Sequence, residues 1–250
     1  EFRYLKGLSK AARTRVLKKM LSYRLPAVIV GRDLSPFPEM VAEAERLGVP
    51  LFVSPQATNS LVSRLTRYLE EALAPEARVH GTLVDVYGVG VLIQGESGVG
   101  KSECALELIR AGHRLVADDV VHVRRLTDKI LMGSADPIIQ YHMEIRGLGI
   151  INVEMVYGVR AVRRRKHIEL LAELKPWETG KAYDRTGLQS RSRDILGVPV
   201  SHLVLPVRPG RNLSVILEVA AINYRMSLMG INPAQDFNRR AIEKLRPGNP

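Results

Sequence analysis

The chain has 250 residues, 46% of them hydrophobic, and its 37 basic and 26 acidic side chains leave a formal net charge of +11. With a mean hydropathy close to zero, this composition specifies a globular protein holding one large domain or two small ones. No apolar run approaches the ~20 residues a membrane-spanning helix needs, and a single cysteine, Cys104, excludes an internal disulfide. A pI near 10.0 favours an acidic partner, whether nucleic acid, nucleotide or acidic protein. The only dense basic run is Arg163-Arg164-Arg165-Lys166. Aromatics make up 5% and do not interleave with it, which argues against a base-stacking platform. The opening Glu1-Phe2-Arg3-Tyr4-Leu5-Lys6 lacks the apolar region of a signal peptide and reads as a point inside a longer protein, and with a lone cysteine the expected location is cytoplasmic.

The first 75 residues alternate helix and strand. Ser9 caps a helix carrying Val16, Leu17, Met20 and Leu21 at helical spacing. Pro26 to Gly31 reads as a strand, Met40 to Leu47 as a helix closed by Gly48, and Leu51-Phe52-Val53 as a second strand. A helix beginning at Thr58 or Asn59 runs until Pro75 stops it. This order implies parallel strands in a small α/β layer. Ala74 to Arg78 reads as a linker. Residues 1–75 are therefore expected to form a partial N-terminal α/β domain and 76–250 a second domain.

Beyond the linker, Thr82 to Tyr87 and Val89 to Gln94 read as strands joined by a sharp bend at Gly88. Arg114 to Ala117 is a third strand, ending in Asp118-Asp119. Val120 to Arg124 and Ile130 to Met132 flank a turn at Thr127-Asp128-Lys129. Residues 141–152 read as loop or short helix, Leu203 to Leu205 as a strand, and Leu217 to Met229 and Ala234 to Lys244 as helices. No repeat or low-complexity segment is present.

Residues 95–102, Gly95-Glu96-Ser97-Gly98-Val99-Gly100-Lys101-Ser102, form a complete P-loop, G-x-x-x-x-G-K-[ST]. The three glycines let the backbone take positive φ and approach a ligand, so that successive N–H groups form an anion nest. Lys101 is placed to bridge β- and γ-phosphates, and the Ser102 hydroxyl to ligate Mg²⁺. An apolar strand precedes the loop and a helix ending at Gly112 follows it, which is the context the motif requires.

Other candidates surround it. Asp118 and Asp119 end a strand where a P-loop fold places a carboxylate near Mg²⁺. On a regular strand the two would face opposite ways. Glu144 and Arg146 precede two glycines and suit a loop folding round a ligand. Arg185 could act as an arginine finger, and Arg208 and Arg211 flank a rigid Pro209-Gly210 turn suited to phosphate or an acidic partner. His80 alone is an ordinary histidine. The six histidines show no H-x-x-H spacing, and no G-x-S-x-G elbow occurs, which removes zinc and serine hydrolases. D-x-x-G occurs twice without N-K-x-D, so a GTPase is not indicated.

Taken together, His80-Gly81, Leu83 to Gly88, Gly95 to Glu103, Ala105 to Leu108, Leu115 to Asp119, Met143 to Asn152, Tyr183-Asp184-Arg185 and Pro206 to Arg211 resemble the HPr kinase/phosphorylase family of bacterial sugar regulation. The pieces fall in the family's order across residues 78–250. Residues 1–75 resemble the later part of its N-terminal domain. Cys104 and Thr186 depart from the expected threonine and leucine.

The resemblance implies an ATP- and Mg²⁺-dependent enzyme that phosphorylates a serine of the phosphocarrier protein HPr in carbon catabolite repression. It also implies removal of that phosphate by phosphorolysis, with inorganic phosphate consumed and pyrophosphate released. The implied fold is a small N-terminal α/β domain plus a P-loop kinase domain similar to phosphoenolpyruvate carboxykinase, assembled as a homohexamer, with neither nucleic acid nor membrane as partner. By the same resemblance His80, Lys101, Asp119 and Arg185 are catalytic, residues 95–102 bind nucleotide, and Ser102 and Glu144 hold Mg²⁺. Pro206, Val207, Arg208, Pro209, Gly210 and Arg211 form a loop serving dephosphorylation. The competing readings are a P-loop kinase of a small metabolite and a nucleic-acid-binding ATPase. The first predicts phosphorylation without HPr, the second steep salt-dependent DNA binding.

Overall fold

The computed structural model describes residues 2–178, 191–208 and 210–245. The chain divides into two compact units, Glu1–Leu73 and Ala74–Pro250.

The first unit contains α1 (Phe2–Lys6), α2 (Lys10–Leu21), β1 (Val28–Val30), α3 (Pro38–Leu47), β2 (Leu51–Val53) and α4 (Thr58–Ala72). The Ser9 hydroxyl accepts from the Ala12 N–H at 3.3 Å, which satisfies one orphan donor of α2. Gly48, at φ 66°, ends α3 in the left-handed conformation that glycine adopts without a Cβ clash. β1 and β2 pair in parallel, Val28 opposite Leu51. Leu5, Leu17, Val30 and Met40 close one core cluster, while Leu21, Ala44 and Val49 form a second. Arg13 ties α2 to α3 through Glu39 at 3.0 Å, and its guanidinium lies 4.3 Å from the Phe37 ring centroid.

The second unit contains β3 (Glu76–His80), β4 (Thr82–Val86), β5 (Val89–Gly95), α5 (Lys101–Arg110), β6 (Arg114–Ala117), β7 (Val120–Thr127), β8 (Ile130–Ser134), β9 (His142–Ile145), β10 (Gly149–Asn152), α6 (Val153–Tyr157), β11 (Arg165–His167), β12 (Leu170–Pro176), β13 (Arg191–Ile195), β14 (Val198–Val207), α7 (Leu213–Leu228) and α8 (Pro233–Leu245). A six-stranded sheet runs β13-β14-β12-β5-β4-β6, and a four-stranded sheet runs β11-β8-β7-β3. In the larger sheet β14, β12 and β5 are parallel, so their carboxyl ends share one rim. β4 runs antiparallel to β5 through a two-residue turn, Tyr87-Gly88, both at positive φ as a type I′ hairpin demands.

The period-two alternation of the strands sorts their side chains into two cores. Val84 and Val86 of β4, Val91 and Ile93 of β5, and Leu170, Ala172 and Leu174 of β12 face α5 and α7. Leu83, Leu92 and Leu171 face the four-stranded sheet and meet Val121, Val123 and Leu131. The six-stranded sheet is thus covered on both faces, which explains why β5 reads as a continuous apolar run. Cys104, Ala105, Leu108 and Ile109 form the buried stripe of α5. Leu213, Leu217 and Ala221 form that of α7, whose start is capped by Asn212 accepting from the Val215 N–H at 3.1 Å.

Several stretches depart from the sequence reading, three of them near the P-loop rim or the segments that flank it. The expected linker 74–78 is largely β3, an edge strand pairing with β7. Its outward Glu76, Arg78 and His80 make it read as polar, while Val79 packs inward. Residues 141–152 hold a β-hairpin, β9–β10, because Gly147 sits in its turn and Gly149, also at positive φ, opens β10 instead of breaking structure. β12, beside the P-loop strand, carried no expectation; its Glu173 and Lys175 interrupt the apolar pattern. Among the described residues no single helix is long and apolar enough to cross a membrane.

Candidate active site

β5 delivers its carboxyl end into the P-loop, where Gly95, Gly98 and Gly100 sit at φ 150°, 81° and 100°. Gly100 is the N-cap of α5, so the loop's N–H groups and the positive end of the helix converge. A Cβ at Gly95 would stand 2.5 Å from the Leu174 carbonyl oxygen of β12, and one at Gly98 would strike the Arg146 guanidinium. Lys101 Nζ donates to the carbonyls of Gly95 and Glu96, both at 3.0 Å, and so lies across the loop.

The acid nearest this loop is Asp118, for a reason built into β6. Leu83 of β4 pairs with Ala117 but Val84 pairs with Leu115, so one extra residue is inserted in β6. Val116 and Ala117 consequently both enter the core beneath the sheet. The insertion turns Asp118 to the α5 side, where it meets Ser102. The Ser102 hydroxyl lies 3.2 Å from Oδ1 and 3.1 Å from Oδ2 of Asp118. Thr82 Oγ1 donates to Oδ1 at 2.7 Å, and the Glu144 N–H to Oδ2 at 3.4 Å. Burial pushes the Asp118 carboxyl above its usual range, partly countered by the bonds from Thr82 and Ser102.

Asp119 differs from its neighbour. It is exposed and holds φ 63°, uncommon for a residue bearing a Cβ. The Gly81 N–H donates to its carbonyl at 3.0 Å and fixes the turn. A cavity of about 130 Å³ brings together Lys101, Ser102, Asp118, Asp119, Glu144 and Arg146. Arg146 Nη2 donates to Ser97 Oγ at 3.2 Å, which holds the β9–β10 hairpin against the loop.

His80 lines an adjoining cavity of about 560 Å³ with Gln94, Gly95, Lys175 and Arg193. Its carbonyl accepts from Gln94 Nε2 at 2.9 Å; among the described residues its imidazole makes no hydrogen bond to Asp119. On the same rim Glu173 pairs with His202 at 3.0 Å and Lys175 at 3.3 Å. Pro206 and Val207 end β14, and Arg208 lies 4.3 Å over the Trp177 ring. Arg211 Nη1 donates back to the Pro206 carbonyl at 3.1 Å, drawing Gly210 into a compact turn. Arg185 and Pro209 lie outside the described residues.

Among the described residues no three His, Cys, Asp or Glu side chains gather to hold a metal. Ser102, Asp118 and Glu144 are all oxygen donors. That set suits Mg²⁺, which takes one or two protein ligands and completes its shell with phosphate and water. Asp118 was considered from the sequence with Asp119 but not placed on the metal. Its signal was its position as the first carboxylate after a strand; what hid it was the extra residue in β6.

A glycine nest on a helix N-terminus, a lysine lying across it, and a hydroxyl–carboxylate pair define a P-loop phosphotransferase. The family profile described as "HPr Serine kinase C-terminal domain" matches residues 71–241, and "HPr Serine kinase N terminus" matches residues 1–69. The chain belongs to the HPr serine kinase family. Curated relatives called HPr kinase/phosphorylase include one from Peptoclostridium acidaminophilum, 47% identical over 98% of this chain and 80% of its own length. Another, from Bacillus subtilis (strain 168), is 50% identical over 89% of this chain and 72% of its own. The solved structure described as "Structure of the Hpr(Ser) kinase/phosphatase from Coxiella burnetii" is 33% identical with a TM-score of 0.58, covering 64% of this chain and 98% of that one.

Proposed function

We propose that this protein transfers the γ-phosphoryl group of ATP to a regulatory serine of HPr, and removes it by phosphorolysis with inorganic phosphate in and pyrophosphate out. The observation that carries the reading is the knot of Ser102, Asp118 and the Glu144 N–H closed over the P-loop, with Asp119 exposed beside it. Mg²⁺, when bound, neutralises charge on the phosphates. Ser102, Glu144 and Asp118 would hold it. Residues 95–102 cradle the phosphates and Lys101 bridges them, exchanging its carbonyl partners for phosphate oxygens.

Asp119, exposed at the cavity mouth, takes the proton from the attacking serine hydroxyl. In reverse the same carboxyl, now protonated, returns it to the departing serine as phosphate attacks. His80, in the adjoining cavity, serves the incoming phosphate, and Arg185 neutralises the transferring group. Pro206–Arg211 serves the phosphorolytic direction. We take 1–75 as an N-terminal domain and 76–250 as the catalytic domain, in a cytoplasmic homohexamer acting in carbon catabolite repression. The charge of +11 suits steering of an acidic partner.

The test is incubation with HPr, Mg²⁺ and ATP, then with phosphate and no ATP, reading HPr mass at each stage. A phosphate-sized gain on serine that reverses with pyrophosphate release supports the reading. Binding of ATP with no gain on HPr overturns it and favours a small-metabolite kinase.

A further inference from the structure

We infer that Trp177 is a positioning residue for phosphorolysis: its ring holds the Arg208 guanidinium at the active rim, where inorganic phosphate is captured. The inference rests on the reading that Pro206–Arg211 serves that direction.

Strand register sets the location. Leu174 of β12 lies opposite Gly95, where the P-loop begins. Lys175 and Pro176 then lie opposite Pro206 and Val207. The Trp177 N–H donates to the Val207 carbonyl at 3.1 Å, adding a last rung beyond both strands. Trp177 and Arg208 thus leave the sheet side by side, on the rim where open α/β sheets bind ligands.

The contact is of a particular kind. The guanidinium carbon stands 4.3 Å from the indole centroid, within cation–π range. A guanidinium carbon over a ring face is held there by charge and dispersion, a contact that uses up none of its N–H donors. Among the described residues none of those groups has a hydrogen-bond or carboxylate partner. Arg211, by contrast, spends a donor on the Pro206 carbonyl. Arg208 is therefore a planar donor fork, held in orientation but not consumed, and such a fork matches two oxygens of a phosphate. Trp177 is the only tryptophan in the chain and is 39% exposed, so its ring is a perch for the arginine more than a core anchor.

The experiment compares the unsubstituted protein with Trp177→Leu and Trp177→Phe. It measures KM for inorganic phosphate with phosphorylated HPr, KM for ATP with HPr, and the thermal midpoint of each protein. We expect Trp177→Leu to raise the phosphate KM about threefold or more, well beyond any change in the ATP KM, with Trp177→Phe restoring most of the loss. An unchanged phosphate KM in Trp177→Leu, or equal rises in both KM values, overturns the inference while the functional reading stands. Failure of the unsubstituted protein to release pyrophosphate from phosphorylated HPr overturns both. If Trp177→Leu does not fold, Trp177→Phe against Arg208→Lys decides: the lysine keeps the charge but not the fork, and a phosphate KM equal to that of Trp177→Phe overturns the inference.

Discussion

Ser102 and Asp118 face each other across the start of α5, the serine hydroxyl within 3.2 Å of both carboxylate oxygens. One belongs to the P-loop and the other follows β6. Neither strand alignment alone nor the loop alone produces the pair. It depends on the extra residue in β6 that turns Asp118 out of the lower core.

Asp118 should therefore be a metal-linked group with a shifted titration. Burial raises its pKa from the usual 3.8, so it takes up a proton at a higher pH than an exposed aspartate. Since Mg²⁺ requires the ionised form, the Mg²⁺ concentration for half-maximal transfer should climb as pH falls toward that raised value. In stability terms the folded state binds the proton more tightly than the unfolded state. Asp118 thus costs folding free energy as pH rises from 3.8 through its raised value. Asp118→Asn should flatten that pH dependence and weaken Mg²⁺ binding by about 10- to 100-fold. Metal titrations and thermal melts across pH check both.

Asp119→Asn should behave differently. Its carboxylate is exposed at the cavity and its backbone is held by Gly81, so removing the charge leaves the loop in place. ATP binding should persist while transfer to HPr and phosphorolysis both fall by about 100-fold or more. Activity retained in either direction would show that another group moves the proton.

Gly98→Ala tests the P-loop backbone. The new Cβ meets a φ of 81° and the Arg146 guanidinium at once. The nucleotide dissociation constant should rise at least about tenfold, equivalent to 1.4 kcal/mol, because the N–H groups lose their aim and Arg146 is displaced from Ser97. Calorimetry with ATP reads this without turnover.

Cys104 should be silent to alkylating reagents in the folded protein. It lies in the buried stripe of α5, and burial pushes its thiol up to about 12. The reactive thiolate is therefore scarce at neutral pH. Labelling should track unfolding; rapid labelling without denaturant would mean that α5 detaches readily.

Leu171→Ala should destabilise the second unit by about 2–5 kcal/mol. Leu171 is fully buried where β12 meets the four-stranded sheet. Chemical denaturation monitored by circular dichroism measures the loss.

The P-loop was legible because its chemistry is written in contiguous residues, Gly95 to Ser102. Ser9, Gly48 and Pro75 marked helix ends for equally local reasons. β12 was not legible, since a strand buried between two others tolerates Glu173 and Lys175 near its exposed end. The hairpin at 142–152 was obscured because glycine reads as a breaker unless the two flanking segments are known to pair. Asp118 was seen, but which way it faced depended on its register against β4, a long-range relation that no local pattern encodes.

The order β12-β5-β4-β6 has a further consequence for how the site tolerates change. The P-loop strand and the strand leading to Asp118 are separated only by β4, so their lateral distance is two interstrand spacings, roughly 10 Å. Backbone hydrogen bonds set that length, and loop sequence does not enter it. The site's width is thus quantised: drift in surface loops leaves it untouched, and a slip of β4 along β5 would shift the strand ends lengthwise without changing that spacing. A slip of one residue would exchange the cores of Leu83 and Val84, a fault the whole sheet resists together.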